Sequence, residues 1–158
     1  MKVFLASSFA YLDPEISAMR KAKMEEALAI LTAQGHTVFA PHHHMVERAW
    51  DISNREWGCK VAKMDKDEIC SSDAVVLLTY GKEKNNAGVS FESGYIAGIN
   101  QYRELLGQKP IILVLVKMND EVESLMMWSS AHIEVRGLEG LKELDFSNPT
   151  TLDDVVVS

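Results

Sequence analysis

Much of what a chain can be is excluded by what this one has little of. There are two cysteines, Cys59 and Cys70, in 158 residues. That is too few for a disulfide-stapled fold, and it leads us to expect a reducing compartment, the cytoplasm. The longest apolar run, Ile111 to Val116, has six residues, against the ~20 a membrane helix needs. Basic residues are in deficit: 16 Lys and Arg stand against 23 Asp and Glu, a formal charge of −7. With no basic stripe, a nucleic-acid polymer is not an expected partner. Four prolines and nine glycines are scattered, with no linker, repeat or low-complexity tract. Residues 1–158 therefore read as one domain, and a hydrophobic fraction of 47% is too high for disorder. The opening MKVFLASSFAYL faintly imitates a signal peptide, but it holds a single Lys and runs into an acidic helix start at Asp13. A first strand, Val3 to Ala6, is the expected structure.

What is present alternates between two periods. Asp13-Pro14-Glu15 has the order of an N-cap, a proline at the first helical position and an acid in the first turn. Met24, Ala27, Leu28 and Leu31 then recur at helical spacing until Gly35. A second helix is expected from Ser53 or Asn54 to about Ser71, with Trp57, Val61 and Met64 on one face. A third is expected from about Val89 to Gly107, with Phe91, Tyr95, Ile99 and Tyr102 on its apolar side. Between them lie HTVFA (36–40), AVVLLTY (74–80) and PIILVLV (110–116). These runs are short, β-branched and apolar throughout, as strands covered on both faces are. A short helix near Val122 to Trp128 and a fifth strand at His132 to Val135 complete the series. The pattern predicts an α/β fold: a doubly wound, mainly parallel five-stranded sheet in the flavodoxin-like order 2-1-3-4-5, helices on both faces. Ligands of such sheets bind at the carboxyl ends of the strands, which directs attention to Ser7–Leu12, Pro41–Ile52 and Tyr80–Gly88.

Four features in or near those loops bear on chemistry. In NNAGVSFESGY (85–95), Glu92 is expected in the first turn of a helix, where the dipole favours an ionised carboxylate. Such a group serves as nucleophile or base, or simply as a capping-box glutamate. Gly88 and Gly94 make neither a dinucleotide fingerprint nor a phosphate loop. Asp65 follows Trp57 by eight residues, a little over two helical turns, within a charged run that reads by default as a solvated face. His42, His43 and His44 are adjacent, so they cannot all face one ion from regular structure, and Cys59 and Cys70 do not form CxxC. No metal site is read here; polar lining of a ligand pocket, by His43, fits the place in the sheet. Ser124 to Trp128 reads mainly as packing.

Taken in order, these segments resemble the nucleoside 2-deoxyribosyltransferase family, which includes related nucleoside 5′-monophosphate N-glycosidases. KVFLASSF resembles its first strand and loop, Trp57 with Asp65 its aromatic-x7-Asp helix, and SSDAVVLL with AGVSFESGYIAG its third strand and nucleophile turn. GQKPIILVL resembles the fourth strand and SLMMW the Asn-Leu-Met segment near the C-terminus. The resemblance implies retaining cleavage of an N-glycosidic bond through a glycosyl-Glu92 ester, with Asp65 serving the departing base. It implies substrate contacts from Phe4, Ser7, Phe9, Trp57, Asn86 and Gly88. Ser124 and Met126 would be supplied by a neighbouring subunit, hence a dimer or trimer of dimers. It implies no metal and no organic cofactor. The expected partners are a small nucleoside or nucleotide of salvage metabolism and a second copy of the chain, with neither nucleic acid nor membrane.

Three positions depart from the transferase pattern. Phe4 replaces a Tyr whose hydroxyl holds the nucleophile, Asn86 an Asp that binds the sugar hydroxyls, and Ser124 the partner-subunit Asn. Loss of the Asp charge and gain of a small hydroxyl would tolerate a 5′-phosphate; with no Arg in the first loop, Arg48 and Lys60 are the basic residues left to meet it. Two readings stand about level: transfer of the sugar to another base, and hydrolysis of a 5′-mononucleotide to free base and sugar 5-phosphate. A nucleotide-binding module without catalysis is a third, against which Glu92 and Asp65 both speak. No role is read for the tail, 145–158.

Overall fold

The computed structural model describes residues 1–8, 13–44, 49–81, 87–121 and 124–147. Five strands, β1 (Lys2–Ser7), β2 (Thr37–Phe39), β3 (Ala74–Thr79), β4 (Ile112–Lys117) and β5 (Ile133–Arg136), form one sheet in the order β2-β1-β3-β4-β5. Every pairing is parallel. The expected order and all five strands are thus found, with edges shifted by one or two residues.

Among the described residues, five helices cover the sheet: α1 (Pro14–Ala33), α2 (Asn54–Ser71), α3 (Ala87–Leu105), α4 (Leu125–Ser130) and α5 (Gly137–Glu143). Single-turn 3-10 segments lie at Pro41–His43 and Ala49–Asp51. The α1 start follows from its sequence: the Asp13 carboxylate accepts from the Glu15 and Ile16 amides at 2.8 and 3.2 Å, and Pro14 takes a position whose N–H would have no partner. Ser53 caps α2 in the same way, on the Glu56 amide. Gly81 turns the chain out of β3 at φ 76, and a Cβ there would run into the Glu121 side chain, so only glycine fits.

Alternation along the strands divides the core into two layers. Val3, Leu5, Val76, Leu78, Val114 and Val116 face α1 and α5, against Met24, Ala27, Leu31, Leu138 and Leu141. Phe4, Ala6, Val75, Leu77, Leu113 and Leu115 face Ile69 of α2, Val89 and Ile96 of α3 and Met127 of α4. Each fully buried side chain of this size contributes about 1.5–3 kcal/mol. Helix α5, not anticipated from the sequence, adds Leu138 and Leu141 to the first layer.

Two expectations about helix faces are corrected. Phe91 and Tyr102 do not face the core; they are 54% and 64% exposed, and the inward face of α3 is Val89, Glu92, Ser93 and Ile96. Periodicity favoured the large aromatics, whereas the fold turns a carboxyl and a hydroxyl inward. On α2, Trp57 is 44% exposed and only Ile69 is fully buried.

Side-chain bonds set α3 in place. The Asn100 amide pairs with both backbone groups of Ile111, at 2.9 and 2.8 Å, fastening α3 to the chain entering β4. Arg103 donates to the Cys70 carbonyl at 2.8 Å and Tyr95 OH lies 3.4 Å from Cys70 Sγ, so α2 and α3 run side by side.

Candidate active site

That pairing of helices brings Asp65 to Glu92. Glu92 is buried, and its Oε2 has no hydrogen-bond partner among the described residues. Asp65 is half-buried with Oδ1 in the same condition, and so is the buried Ser93 hydroxyl next to Glu92. Buried polar atoms are rarely left unpaired, and an unsatisfied one costs about 1–3 kcal/mol. Orphan oxygens on neighbouring groups, at the carboxyl side of a parallel sheet, mark a place made for something other than folding.

Electrostatics says the same. Burial, and next the nearby Asp65 charge, push the Glu92 carboxyl up to about 8. Burial lifts Asp65 to about 6. Between those values the two carboxyls hold one proton, and it rests on Glu92, the more deeply buried. The expectation that a helix N-terminus keeps Glu92 ionised is corrected. Helix α3 opens at Ala87, so Glu92 lies beyond its first turn, where the dipole effect has faded and desolvation prevails. It is not a capping glutamate either, since the first turn contains no acid. The charged run around Asp65 is not uniformly solvated: Lys63 pairs with Asp67 at the surface, while Asp65 turns inward.

The remaining predicted residues divide. Phe4 has no exposed surface and stacks on Phe39, centroids 5.9 Å apart; it is packing beneath the site. Ser7 ends β1 with a buried, unpartnered hydroxyl, but alternation with Val3 and Leu5 places it on the α1 side of the sheet. Trp57 presents an open ring on α2, two turns before Asp65. Gly88 is exposed, and a Cβ there would meet nothing within 4 Å. His43 is exposed and bonded to Glu25 of α1 at 2.8 Å. Lys60 is paired with Glu56 at 2.9 Å. Phe9, Asn86 and Arg48 lie outside the described residues.

Ser124 and Met126 line a groove of ≈ 340 Å³ between α3 and α4, with Ser90, Ser93, Gly94, Ala97, Gly98 and Gln101 on its α3 wall. At 100° per residue that wall spans about 100–180° round α3 from Glu92. Glu92 does not line this groove, although its neighbour Ser93 does. Met126 and Leu125 are 79% and 72% exposed.

Sequence reasoning missed Arg20. It is 1% exposed, with its guanidinium 4.1 Å over the Tyr80 ring, and Nη1 donates to the Ser8 carbonyl and hydroxyl at 2.6 and 3.0 Å. It ties α1 to the carboxyl ends of β1 and β3. The available signal was its place four residues before Met24, on the buried stripe of α1.

The sequence model of the nucleoside 2-deoxyribosyltransferase family matches residues 3–138. A 2-deoxyribosyltransferase from Bacillus psychrosaccharolyticus has the same fold, with a TM-score of 0.67 at 24% identity over 93% of this chain and 94% of that one. The CMP N-glycosidase BcmB of Clostridium botulinum gives a TM-score of 0.57 at 15% identity, over 90% and 95%. Comparison with curated proteins gives no match. The chain, a parallel 2-1-3-4-5 sheet matched along most of its length, belongs to the nucleoside 2-deoxyribosyltransferase family. Members of that family transfer or hydrolyse N-glycosyl groups, and among the described residues no helix is long and apolar enough to cross a membrane.

Proposed function

We propose that this chain cleaves the N-glycosidic bond of a nucleoside or nucleotide with retention, Glu92 being the nucleophile and Asp65 the acid. The observation that carries the reading is the approach of the half-buried Asp65 to the buried Glu92, each with an unpartnered carboxylate oxygen. The resting pair holds its proton on Glu92; the competent microstate moves it across the pair, leaving Glu92 ionised and Asp65 protonated. A Glu92 oxygen attacks the anomeric carbon as the carbon–nitrogen bond breaks, and the departing base takes its proton from Asp65. An acceptor then attacks the same carbon and gives its proton to Asp65, and the glycosyl ester breaks, freeing Glu92. Two inversions leave the configuration unchanged. Charge on the paired carboxylate also favours the oxocarbenium-like transition state. No step calls on a cofactor.

The acceptor is another base in one reading and water in the other. Phe4 offers Glu92 no hydroxyl, in keeping with its unpartnered Oε2, and with Asn86 and Ser124 it favours hydrolysis of a 5′-mononucleotide. The B. psychrosaccharolyticus likeness favours exchange, and the BcmB likeness favours hydrolysis. Incubation with deoxynucleosides and with ribo and deoxy 5′-mononucleotides, each with and without a free base, separates them. A new nucleoside formed only with the acceptor establishes exchange. Free base and sugar 5-phosphate without acceptor establish hydrolysis. Neither product from any substrate would sink the enzymatic reading and leave a binding module.

A second copy of the chain completes the site in this reading. Ser124 and Met126 line a groove that Glu92 of their own chain does not line, and the exposed Leu125 and Met126 form an apolar edge of the kind an interface covers. A soluble cytoplasmic enzyme of nucleotide salvage fits this picture.

A further inference from the structure

The reaction leaves His42 and His43 unused. Both lie on the 3-10 turn after β2, and both Nε2 atoms sit on one oxygen of Glu25, at 2.9 and 2.8 Å. Adjacency in the chain argued against a shared ion. What it could not include was a carboxylate from α1, some seventeen residues earlier, about which the turn arranges the two rings. Their centroids are 4.2 Å apart and tilted by 57°, and one ligand atom from each of the three residues lies within 4.8 Å of the others.

The dimensions suit a metal. Ligand atoms about 2.0–2.1 Å from a tetrahedral zinc ion stand about 3.3 Å apart. The two imidazole nitrogens would each move from the Glu25 oxygen by about half an ångström to admit one. The anchoring is uneven in a useful way. The His42 side chain is 3% exposed, whereas His43 and Glu25 are 44% and 43% exposed, leaving a path for the ion and room for water as fourth ligand. Two imidazoles and a carboxylate are a donor set for zinc and its neighbours, while magnesium and calcium prefer all-oxygen shells.

The geometry points to a site for one borderline divalent cation, of the zinc class, held by Glu25, His42 and His43. Such an ion fastens the turn after β2 to α1. Helix α1, which carries Glu25, covers the opposite face of the sheet from α2 and α3, so the first effect of the ion is on stability rather than on the reaction.

The test is calorimetric titration of the full chain, free of any affinity tag, with zinc chloride. One ion per chain is expected, with a melting temperature that rises on saturation. His43→Ala and Glu25→Gln, both at exposed positions, are expected to weaken binding at least tenfold and to abolish the rise. His44→Ala is the control: its ring stacks on Phe39 at 4.3 Å, outside the cluster, and zinc affinity should be unchanged. Cobalt in place of zinc should give the visible spectrum of a four-coordinate nitrogen and oxygen site. Absence of saturable binding at sub-millimolar zinc overturns the proposal. So does binding that survives His43→Ala, which would place the ion elsewhere, as on the exposed Cys59 or Cys70.

Discussion

Asp65 of α2 stands close enough to the buried Glu92 of α3 for its charge to be the second cause, after burial, that lifts the Glu92 carboxyl to about 8. Two carboxyls on separate helices thus bear on one another, and burial more than charge sets the protonation of Glu92.

Activity should follow a bell in pH. Below about 6 both carboxyls are protonated and Glu92 is no nucleophile; above about 8 both are ionised and the base departs without a proton. A profile of kcat/KM against pH should show limbs near those values. A flat profile across pH 5–9 would remove the pair from the chemistry.

Glu92→Gln should bind nucleotide and turn nothing over. It should also be the more stable protein at high pH. The folded pKa of Glu92 is raised, so the folded state holds a proton the unfolded state gives up. Wild-type stability from this group is full below about 4.5 and is lost as pH rises toward about 8. At about 1.4 kcal/mol per pH unit, the loss by neutral pH is about 3–4 kcal/mol, which an uncharged amide avoids. Urea melts of both proteins at pH 5 and pH 8 measure it; equal differences at the two pH values would contradict the burial argument.

Asp65→Asn removes the acid and the like charge together. The Glu92 carboxyl should fall but stay above the ordinary range, because burial is the larger cause. General acid catalysis typically gives about 10²–10⁴-fold, so turnover should drop by that order and the high-pH limb of the profile should vanish. Substrates with bases that leave easily should recover most of the loss.

Arg20→Met should cost stability out of proportion to its polar label. The variant keeps volume on the buried stripe of α1 but forfeits the bonds to Ser8 and the contact over Tyr80. Lost charged hydrogen bonds at about 1.5–3 kcal/mol predict a fall of about 2–4 kcal/mol in denaturant unfolding, with protease sensitivity appearing first near Ser8.

If Ser124 and Met126 serve a neighbouring subunit, two inactive variants should complement. Glu92→Gln mixed with Met126→Arg, dissociated and reassembled in equal amounts, should regain about a quarter of the sites, since half of the pairs are mixed and each has one intact site. No recovery from assemblies shown to have exchanged would mean that each chain completes its own site.

The one-dimensional pattern carried the fold. Apolar runs at 74–80 and 110–116, the capped start at Asp13-Pro14 and the glycine stops can only alternate strand and helix, and a parallel sheet then follows from connection length. It also brought Glu92 and Asp65 forward as candidates, because their family spacing is local to a turn and a helix. Which side of α3 turns inward was not legible: Phe91 and Tyr102 have the stronger periodic signal, and only the approach of α2, held by Arg103 and Cys70, selects the Glu92 face. The same limit hid Arg20 behind its charge and Glu25 from the histidines seventeen residues away. Periodicity reports what a segment prefers by itself. The protonation of Glu92, the cation packed beneath Ser8 and the convergence of His42 and His43 depend on desolvation and contact between segments distant in sequence, and tertiary packing alone sets those.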